Sequence, residues 1–213
     1  PLRGNLKGRL QPIDLMPEAI SPNQGFSRSE NPGENLRLFL ALTLPPGIRD
    51  LLAALAQPLP GVAWTRPVQL HVTLRFLGEV PVGRLDELTA RLASVQVESF
   101  VLPLAGLGTF PPNRPPRIAW LGVGSGHPRL FQLRQRVDDA VVATGLPVDL
   151  RNFHPHVTLA RCTARAAGLA AWLHTHRDFA APPFRVEAFD LYESELRPSG
   201  AVHTLRQSFA LVH

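Results

Sequence analysis

The tetrapeptide H-V-T-L occurs twice in the chain, at residues 71–74 and again at 156–159. Each copy follows a similar series of segments: an arginine, an apolar stretch typical of a strand, a helical stripe and a turn that contains proline. Self-similarity of this kind indicates one structural unit that has been duplicated. The sequence therefore predicts two related lobes, at about 36–116 and 117–213.

Each H-V-T-L segment predicts a strand with one polar and one apolar face. Side chains alternate along a strand, so histidine and threonine point to one face while valine and leucine point to the other. The apolar pair is expected in the core of its lobe. If a pseudo-twofold axis relates the lobes, then His71, Thr73, His156 and Thr158 line one shared cleft.

The surrounding sequence alternates between strand-like and helix-like segments. Apolar runs that predict strands lie at 36–44, 69–76, 100–107, 117–123 and 153–160. Apolar residues at three- and four-residue steps predict helices at 48–55, 85–95 and 130–145. This mixture predicts an α+β fold, with no stretch near the roughly 18 apolar residues that a membrane span needs.

The chemistry of the two motifs favours phosphate-ester cleavage. Imidazole titrates near neutrality, so one histidine can remove a proton while the other donates one. Cleavage of a phosphate ester needs a base for the attacking oxygen, an acid for the departing oxygen, and donors that hold the non-bridging oxygens. Two imidazoles and two hydroxyls around one centre supply these groups without a metal or another cofactor.

The charge balance points to an anionic partner. Lysine and arginine number 22 against 17 aspartates and glutamates, a net charge of +5, and Lys7 is the only lysine. The guanidinium group offers a planar fork of donors that matches phosphate. A codon bias towards arginine explains the same excess, and composition does not separate the two interpretations.

Two further features bear on the cellular setting. Cys162 is the single cysteine, which excludes an intrachain disulfide and a thiolate zinc cluster and fits a reducing compartment. No signal peptide is evident, so a cytoplasmic location without membrane association is expected. Residues 1–35 are rich in Pro, Gly, Asn and Ser, which predicts either a loosely held arm or an extended strap at 12–20.

Five motifs together carry a resemblance to a known family. They are R-L-F-L-A-L at 37–42, W-T-R-P-V-Q-L-H-V-T-L-R-F-L-G-E at 64–79, G-L-G-T-F-P at 106–111, F-H-P-H-V-T-L-A-R at 153–161 and L-Y-E-S-E-L at 191–196. In combination they resemble the two-histidine (2H) phosphoesterases, and within them the RNA 2′,3′-cyclic phosphodiesterases, also called LigT-like or 2′-5′ RNA ligase-like proteins. The likeness covers about 36–212.

This resemblance implies a fold and a reaction. The fold would be a bilobal, pseudo-twofold α+β structure in which two antiparallel sheets line a central cleft and helices lie outside. The reaction would open a terminal ribose 2′,3′-cyclic phosphate to a 2′-phosphate, on RNA ends or on small cyclic-phosphate nucleotides. The expected protein is a monomer that needs no cofactor.

The resemblance also implies roles for individual residues. His71 would be the general acid that protonates the departing O3′, and His156 the general base that activates water. Thr73 and Thr158 would hold the phosphate oxygens. The near-symmetry of the motifs leaves the two histidine roles exchangeable at this stage.

Three residues that follow the motifs are further candidates for the substrate site. Arg161, five residues after His156, resembles the family's phosphate-binding arginine. Phe76, five residues after His71, occupies a position where a base could stack. Arg75 alternates with Thr73 and is therefore expected on the cleft side, in contact with phosphate.

Other interpretations of the same residues stay open. The reverse reaction would join a cyclic-phosphate end to a 5′-hydroxyl in a 2′-5′ linkage, and a module without catalysis would merely bind RNA phosphates. His154 and His156 have the spacing of a metal pair, but no acidic residue stands nearby, so no metal site is expected. The sequence does not decide whether His203 contacts substrate.

Overall fold

The computed structural model describes residues 34–112, 115–163, 165–198 and 200–213, so the predicted arm lies outside the described residues except at its C-terminal end. The elements in chain order are β1 (Asn35–Thr43), α1 (Pro46–Ala53), β2 (Val62–Trp64), β3 (His71–Pro81), α2 (Leu85–Ala93), β4 (Phe100–Ala105), β5 (Leu107–Phe110), β6 (Ile118–Gly122), α3 (Pro128–Val142), β7 (His156–Cys162), α4 (Leu169–Thr175), β8 (Ala180–Val186), β9 (Ala188–Arg197) and β10 (Gly200–Ala210). The predicted strands and helices are present, but the stretch predicted as one strand at 100–107 forms β4 and the start of β5, which belong to different sheets, and β8, β9 and β10 follow one another without a helix.

Two antiparallel half-sheets form the main sheet. Its strand order is β10-β9-β1-β3-β7-β6-β5, and β2 pairs separately with β7. The halves meet where β3 and β7 pair at a single position, Val72 opposite Val157. Because these valines belong to the two H-V-T-L segments, the junction places both motifs side by side. Strands β4 and β8 form a separate two-stranded sheet.

Each half-sheet is completed by strands from the other sequence repeat. Strand β9 from the second repeat pairs with β1, whereas β5 from the first repeat pairs with β6. The lobe limits predicted at 36–116 and 117–213 therefore describe the repeat in the sequence. In space, the two halves exchange strands, which ties them into one sheet.

The apolar face of the sheet forms the core with the helices. Leu38, Leu40 and Leu42 of β1 are at most 1% exposed, and they belong to the same cluster as the buried leucines of α2 and α3. Val72 and Leu74 are buried there too, as alternation predicts. None of the helices among the described residues is long and apolar enough to cross a membrane. The opposite face of the sheet carries the polar side chains of the motifs.

Candidate active site

The two motif histidines are held in the same way. The Nδ1 atom of His71 lies 2.7 Å from the carbonyl oxygen of Gln69, and that of His156 lies 2.7 Å from the carbonyl oxygen of His154. A carbonyl oxygen only accepts, so each Nδ1 carries the hydrogen in this bond. Each neutral ring then keeps a free lone pair on Nε2, the atom that can exchange protons with a substrate.

The polar residues of both motifs share one face of the sheet. His71, Thr73, His156 and Thr158 are half-buried, whereas the alternating valines and leucines are buried. The Nε2 atom of His71 lies 3.1 Å from Thr73 Oγ1. Together with the pairing of β3 and β7, this alternation brings the four predicted residues to one cleft.

A β-bulge follows the threonine in each motif. In β3, Thr73 lies opposite Ala41 while Arg75 lies opposite Leu40, so Leu74 is an extra residue. In β7, Thr158 lies opposite Trp120 while Ala160 lies opposite Ala119, so Leu159 is extra. A bulge places two consecutive residues on the same side of a strand and thus reverses the alternation that follows.

These bulges correct one prediction and explain two others. Arg75 is 2% exposed on the core side, and it donates to Asp138 and to the carbonyl of Pro147 at 2.5 Å each, so the predicted phosphate contact of Arg75 is wrong. Phe76, 52% exposed, and the exposed Arg161 instead project from the motif face. Strict alternation would have buried both of these side chains.

The backbone carbonyls freed by the bulges are satisfied by different groups. The Leu159 carbonyl accepts from the backbone N–H of Thr65 at 2.8 Å, whereas the Leu74 carbonyl accepts from the side chain of Arg134. Arg134 is 7% exposed and also pairs with Asp138 at 2.7 Å and Asp149 at 3.1 Å. Arg134 is not among the residues predicted from the sequence, although its place within the apolar stripe of α3 is a signal of burial.

Aromatic rings pack against both histidines. Phe39, buried on the cleft side of β1, has its ring centroid 5.0 Å from His71. Phe110 and Trp120 lie 5.2 and 6.1 Å from His156. Phe39 does not stand out in the sequence because its neighbours in β1 are equally apolar.

The hairpin of β9 and β10 brings His203 beside His71. The ring of His203 lies 5.4 Å from that of His71 and 4.8 Å from that of Phe39, between centroids. Gln69, whose carbonyl holds His71, donates from its side chain to the carbonyl of Ala201. The structure thus places His203 in the cleft, a position that the sequence left undecided.

Burial lowers the pKa of both motif histidines. The pKa of His71 falls to about 4, because burial disfavours its charged form and the positive charges of His203 and His156 act in the same direction, while the Gln69 carbonyl opposes them. The pKa of His156 is lowered by burial, with the His154 carbonyl opposing. Both rings are therefore mainly neutral at neutral pH, and an anionic substrate would favour protonation.

The neighbouring His154 lies against aromatic rings. Its centroid is 5.1 Å from Phe110 and 4.9 Å from Trp120, and its ring is 6.1 Å from that of His156. No group of three or more His, Cys, Asp or Glu side chains suited to a metal ion occurs in the part of the chain that the structure describes. His154 contributes its carbonyl to the orientation of His156.

Comparison with known families decides where the chain belongs. Residues 38–198 match the family described as the 2′-5′ RNA ligase superfamily. The chain belongs to this superfamily. The resemblance inferred from the motifs is thereby confirmed.

Several curated proteins are similar to this chain, and each is named RNA 2′,3′-cyclic phosphodiesterase. The Methanothermobacter thermautotrophicus protein is 31% identical over 83% of this chain and 99% of its own length, and the Thermus thermophilus protein is 35% identical over 83% and 90%. The Aeropyrum pernix protein is 40% identical over 54% of this chain. That alignment spans only 63% of the Aeropyrum protein.

Solved structures of the superfamily share the fold. Escherichia coli LigT in its apo form has a TM-score of 0.68 at 28% identity, covering 85% of this chain and all of that one. A protein from Thermus thermophilus has a TM-score of 0.69 at 30% identity, covering 82% and 97%. The predicted LigT-like α+β fold is therefore confirmed.

Proposed function

We propose that this protein hydrolyses the 2′,3′-cyclic phosphate at the end of an RNA to a 2′-phosphate, without a metal ion. The observation that carries the proposal is the matched pair of histidines, each held at Nδ1 by a carbonyl and each on the same cleft. The relatives named RNA 2′,3′-cyclic phosphodiesterase support it. A cytoplasmic location and a monomeric state remain predictions.

The reaction uses both imidazoles in one displacement. His156 takes a proton from water as the water oxygen attacks phosphorus. The bond from phosphorus to O3′ breaks, and His71 gives its proton to O3′, which leaves a 3′-hydroxyl and a 2′-phosphate. Each proton transfer supplies about 10²–10⁴ in rate.

Thr73, Thr158 and Arg161 stabilise the charge that develops in this displacement. Their hydroxyl and guanidinium donors face the non-bridging oxygens, on which negative charge accumulates as water attacks. Phe76 offers an aromatic surface on which a base can stack. Its place on the motif face, produced by the bulge, supports this role.

The surroundings of each histidine bear on its role as acid or base. The neutral His156 is ready to act as a base. His71 must gain its proton with the substrate, because burial lowers its pKa to about 4. A bound phosphate beside the ring opposes that effect, since an adjacent anion favours imidazolium.

The direct test uses an RNA oligomer that ends in a 2′,3′-cyclic phosphate, incubated in EDTA. We expect hydrolysis to a 2′-phosphate by the wild type and its loss in His156→Ala. The matched control is His174→Ala, which changes an exposed histidine at the end of α4. Wild-type turnover by His156→Ala, a 3′-phosphate product, or inactivation by EDTA would each contradict the proposal.

Ligation would use the same displacement with a different nucleophile. A 5′-hydroxyl would replace water as the attacking group, with His156 again as base and His71 again as acid, and O3′ would leave as a 2′-5′ linkage forms. Water is present at a far higher concentration than RNA ends, so hydrolysis is the net direction. A module that only binds RNA would not need two imidazoles in matched tautomers.

A further inference from the structure

The wall of the cleft beside His71 is built from an interlocked set of polar groups. Gln69 accepts from Arg66 Nε at 3.3 Å and donates to the carbonyl of Ala201 in β10. His203 lies two residues after Ala201 in β10, and its ring contacts that of His71. We refer to Arg66, Gln69 and His203 as the hairpin wall. It extends the cleft away from His156, on the far side of His71.

Three arginines give this end of the cleft a strong positive charge. Arg37 lies two residues before Phe39 on the same face of β1, Arg161 projects from β7 after its bulge, and Arg66 belongs to the hairpin wall. All three are exposed. Within the residues that the structure describes, none of them forms a salt bridge with a carboxylate, although Glu79 is the cross-strand neighbour of Arg37.

The same three arginines act on His203. Its pKa is lowered first by burial and then by the positive charges of Arg161, Arg37 and Arg66. Geometry places two of these cations beside the ring. Arg66 donates to Gln69, which binds the carbonyl two residues before His203. Arg37 shares a face of β1 with Phe39, whose ring contacts His203. A phosphate group would neutralise such cations and accept their hydrogen bonds.

We infer that Arg37, Arg66 and His203 form a second anion subsite, which binds the phosphodiester on the 5′ side of the terminal nucleoside, while Arg161 faces the reacting phosphate. The inference rests on the proposed function and specifies its substrate as an RNA chain. A terminal nucleotide carries the cyclic phosphate at one end of its ribose and this phosphodiester at the other. The ring contact between His71 and His203 sets the subsite directly beside the reacting phosphate.

The test compares two substrates that differ only in the second phosphate and the nucleoside it carries. One is uridine 2′,3′-cyclic phosphate, and the other is the dinucleotide in which adenosine is joined to its 5′ side. We expect kcat/KM to be about tenfold higher for the dinucleotide, mainly through KM, because a contact made equally in ground and transition states changes binding alone. Added salt should reduce this ratio, since the contacts are exposed.

Substitution of Arg37 assigns the effect to the subsite. In Arg37→Gln, the ratio of the two kcat/KM values should fall several-fold, and Arg37→Lys should restore part of it. The control Arg91→Gln removes an exposed arginine of α2, away from the cleft, and should leave the ratio unchanged. Arg37 is exposed at a strand, so its replacement is compatible with folding.

Distinct results overturn distinct claims. Equal kcat/KM for the two substrates, or an Arg37→Gln ratio equal to that of the wild type, would overturn the subsite while hydrolysis of the mononucleotide upholds the proposed function. A third substrate carries only a 5′-monophosphate on the uridine. If kcat/KM is higher for this third substrate than for uridine 2′,3′-cyclic phosphate, but is not higher for the dinucleotide, the subsite binds the phosphate of a small molecule. The inference that it binds an RNA chain is then overturned. Failure to hydrolyse any of the three would instead contradict the proposed function.

Discussion

The two motif strands have the same backbone but different surroundings. Each H-V-T-L segment ends in a bulge at its leucine, which buries the next residue and turns the one after it to the cleft. In β3 these two residues are Arg75 and Phe76, and in β7 they are Ala160 and Arg161. The same backbone arrangement therefore presents an aromatic ring, Phe76, to the cleft from β3 and a cation, Arg161, from β7.

The difference extends to the histidines themselves. His71 packs against Phe39 and His203, whose hairpin covers it, whereas His156 packs against Phe110 and Trp120 and keeps more contact with solvent. The pKa of His71 is accordingly lowered to about 4. Near-identical local sequences therefore provide two imidazoles that are not equivalent, which suits a reaction that needs one acid and one base.

Removal of either imidazole is the largest expected effect. His71→Ala and His156→Ala should each lower kcat about 10²–10⁴-fold, because each ring carries one proton transfer. The measurement is single-turnover hydrolysis of a cyclic-phosphate RNA, with circular dichroism to confirm folding. If one variant kept wild-type kcat, the two histidines would not form an acid–base pair.

The β3 bulge depends on the buried side chain of Arg134, so replacing Arg134 should destabilise the protein far more than replacing the exposed Arg161 after the β7 bulge. Arg134→Met leaves Asp138, Asp149 and the Leu74 carbonyl without this partner, so we expect a loss of about 3–5 kcal/mol in the free energy of unfolding. The β7 bulge is held by a backbone N–H, and the exposed Arg161→Met should change stability by less than about 0.5 kcal/mol. Urea denaturation measures both. Equal losses of free energy of unfolding in the two variants would contradict a special role of Arg134 at the β3 bulge.

Replacement of Arg161 tests the cationic end of the cleft. Arg161→Gln should lower kcat/KM for uridine 2′,3′-cyclic phosphate about 10–100-fold, because a hydrogen bond from a charged donor contributes roughly 1.5–3 kcal/mol. Arg161→Lys should retain part of the activity, since it keeps the charge but loses the planar fork. An unchanged kcat/KM in Arg161→Gln would show that this arginine does not contact the phosphate.

For a change of one pH unit, the pH dependence is the smallest of these effects. The histidine that acts as the acid must be protonated, and the pKa of both histidines lies below the usual 6.5, so the protonated fraction falls as the pH rises. We expect kcat/KM to decrease about tenfold per pH unit above roughly pH 6.5. The profile is measured from about pH 4 to about pH 9. A plateau that extends to about pH 8 would contradict the lowered pKa of the acid.

Much of the site was predictable from local sequence, because it depends on short-range alternation. The polar faces of the motifs, the burial of Val72 and Leu74 and the shared cleft all follow from two-residue periodicity and an internal repeat. Arg75 was assigned to the wrong face because a bulge is specified by pairing with a neighbouring strand. The family resemblance placed Phe76 and Arg161 as candidates where alternation alone would not.

The sequence by itself determined the strands, their polar faces and the identity of the paired imidazoles. These properties depend on residues a few positions apart. The tertiary structure decided that Arg75 joins a buried ion network with Asp138 and that His203 lies beside His71. These contacts join residues far apart in the chain, and they arise only when strand pairing and the packing of α3 bring those residues together.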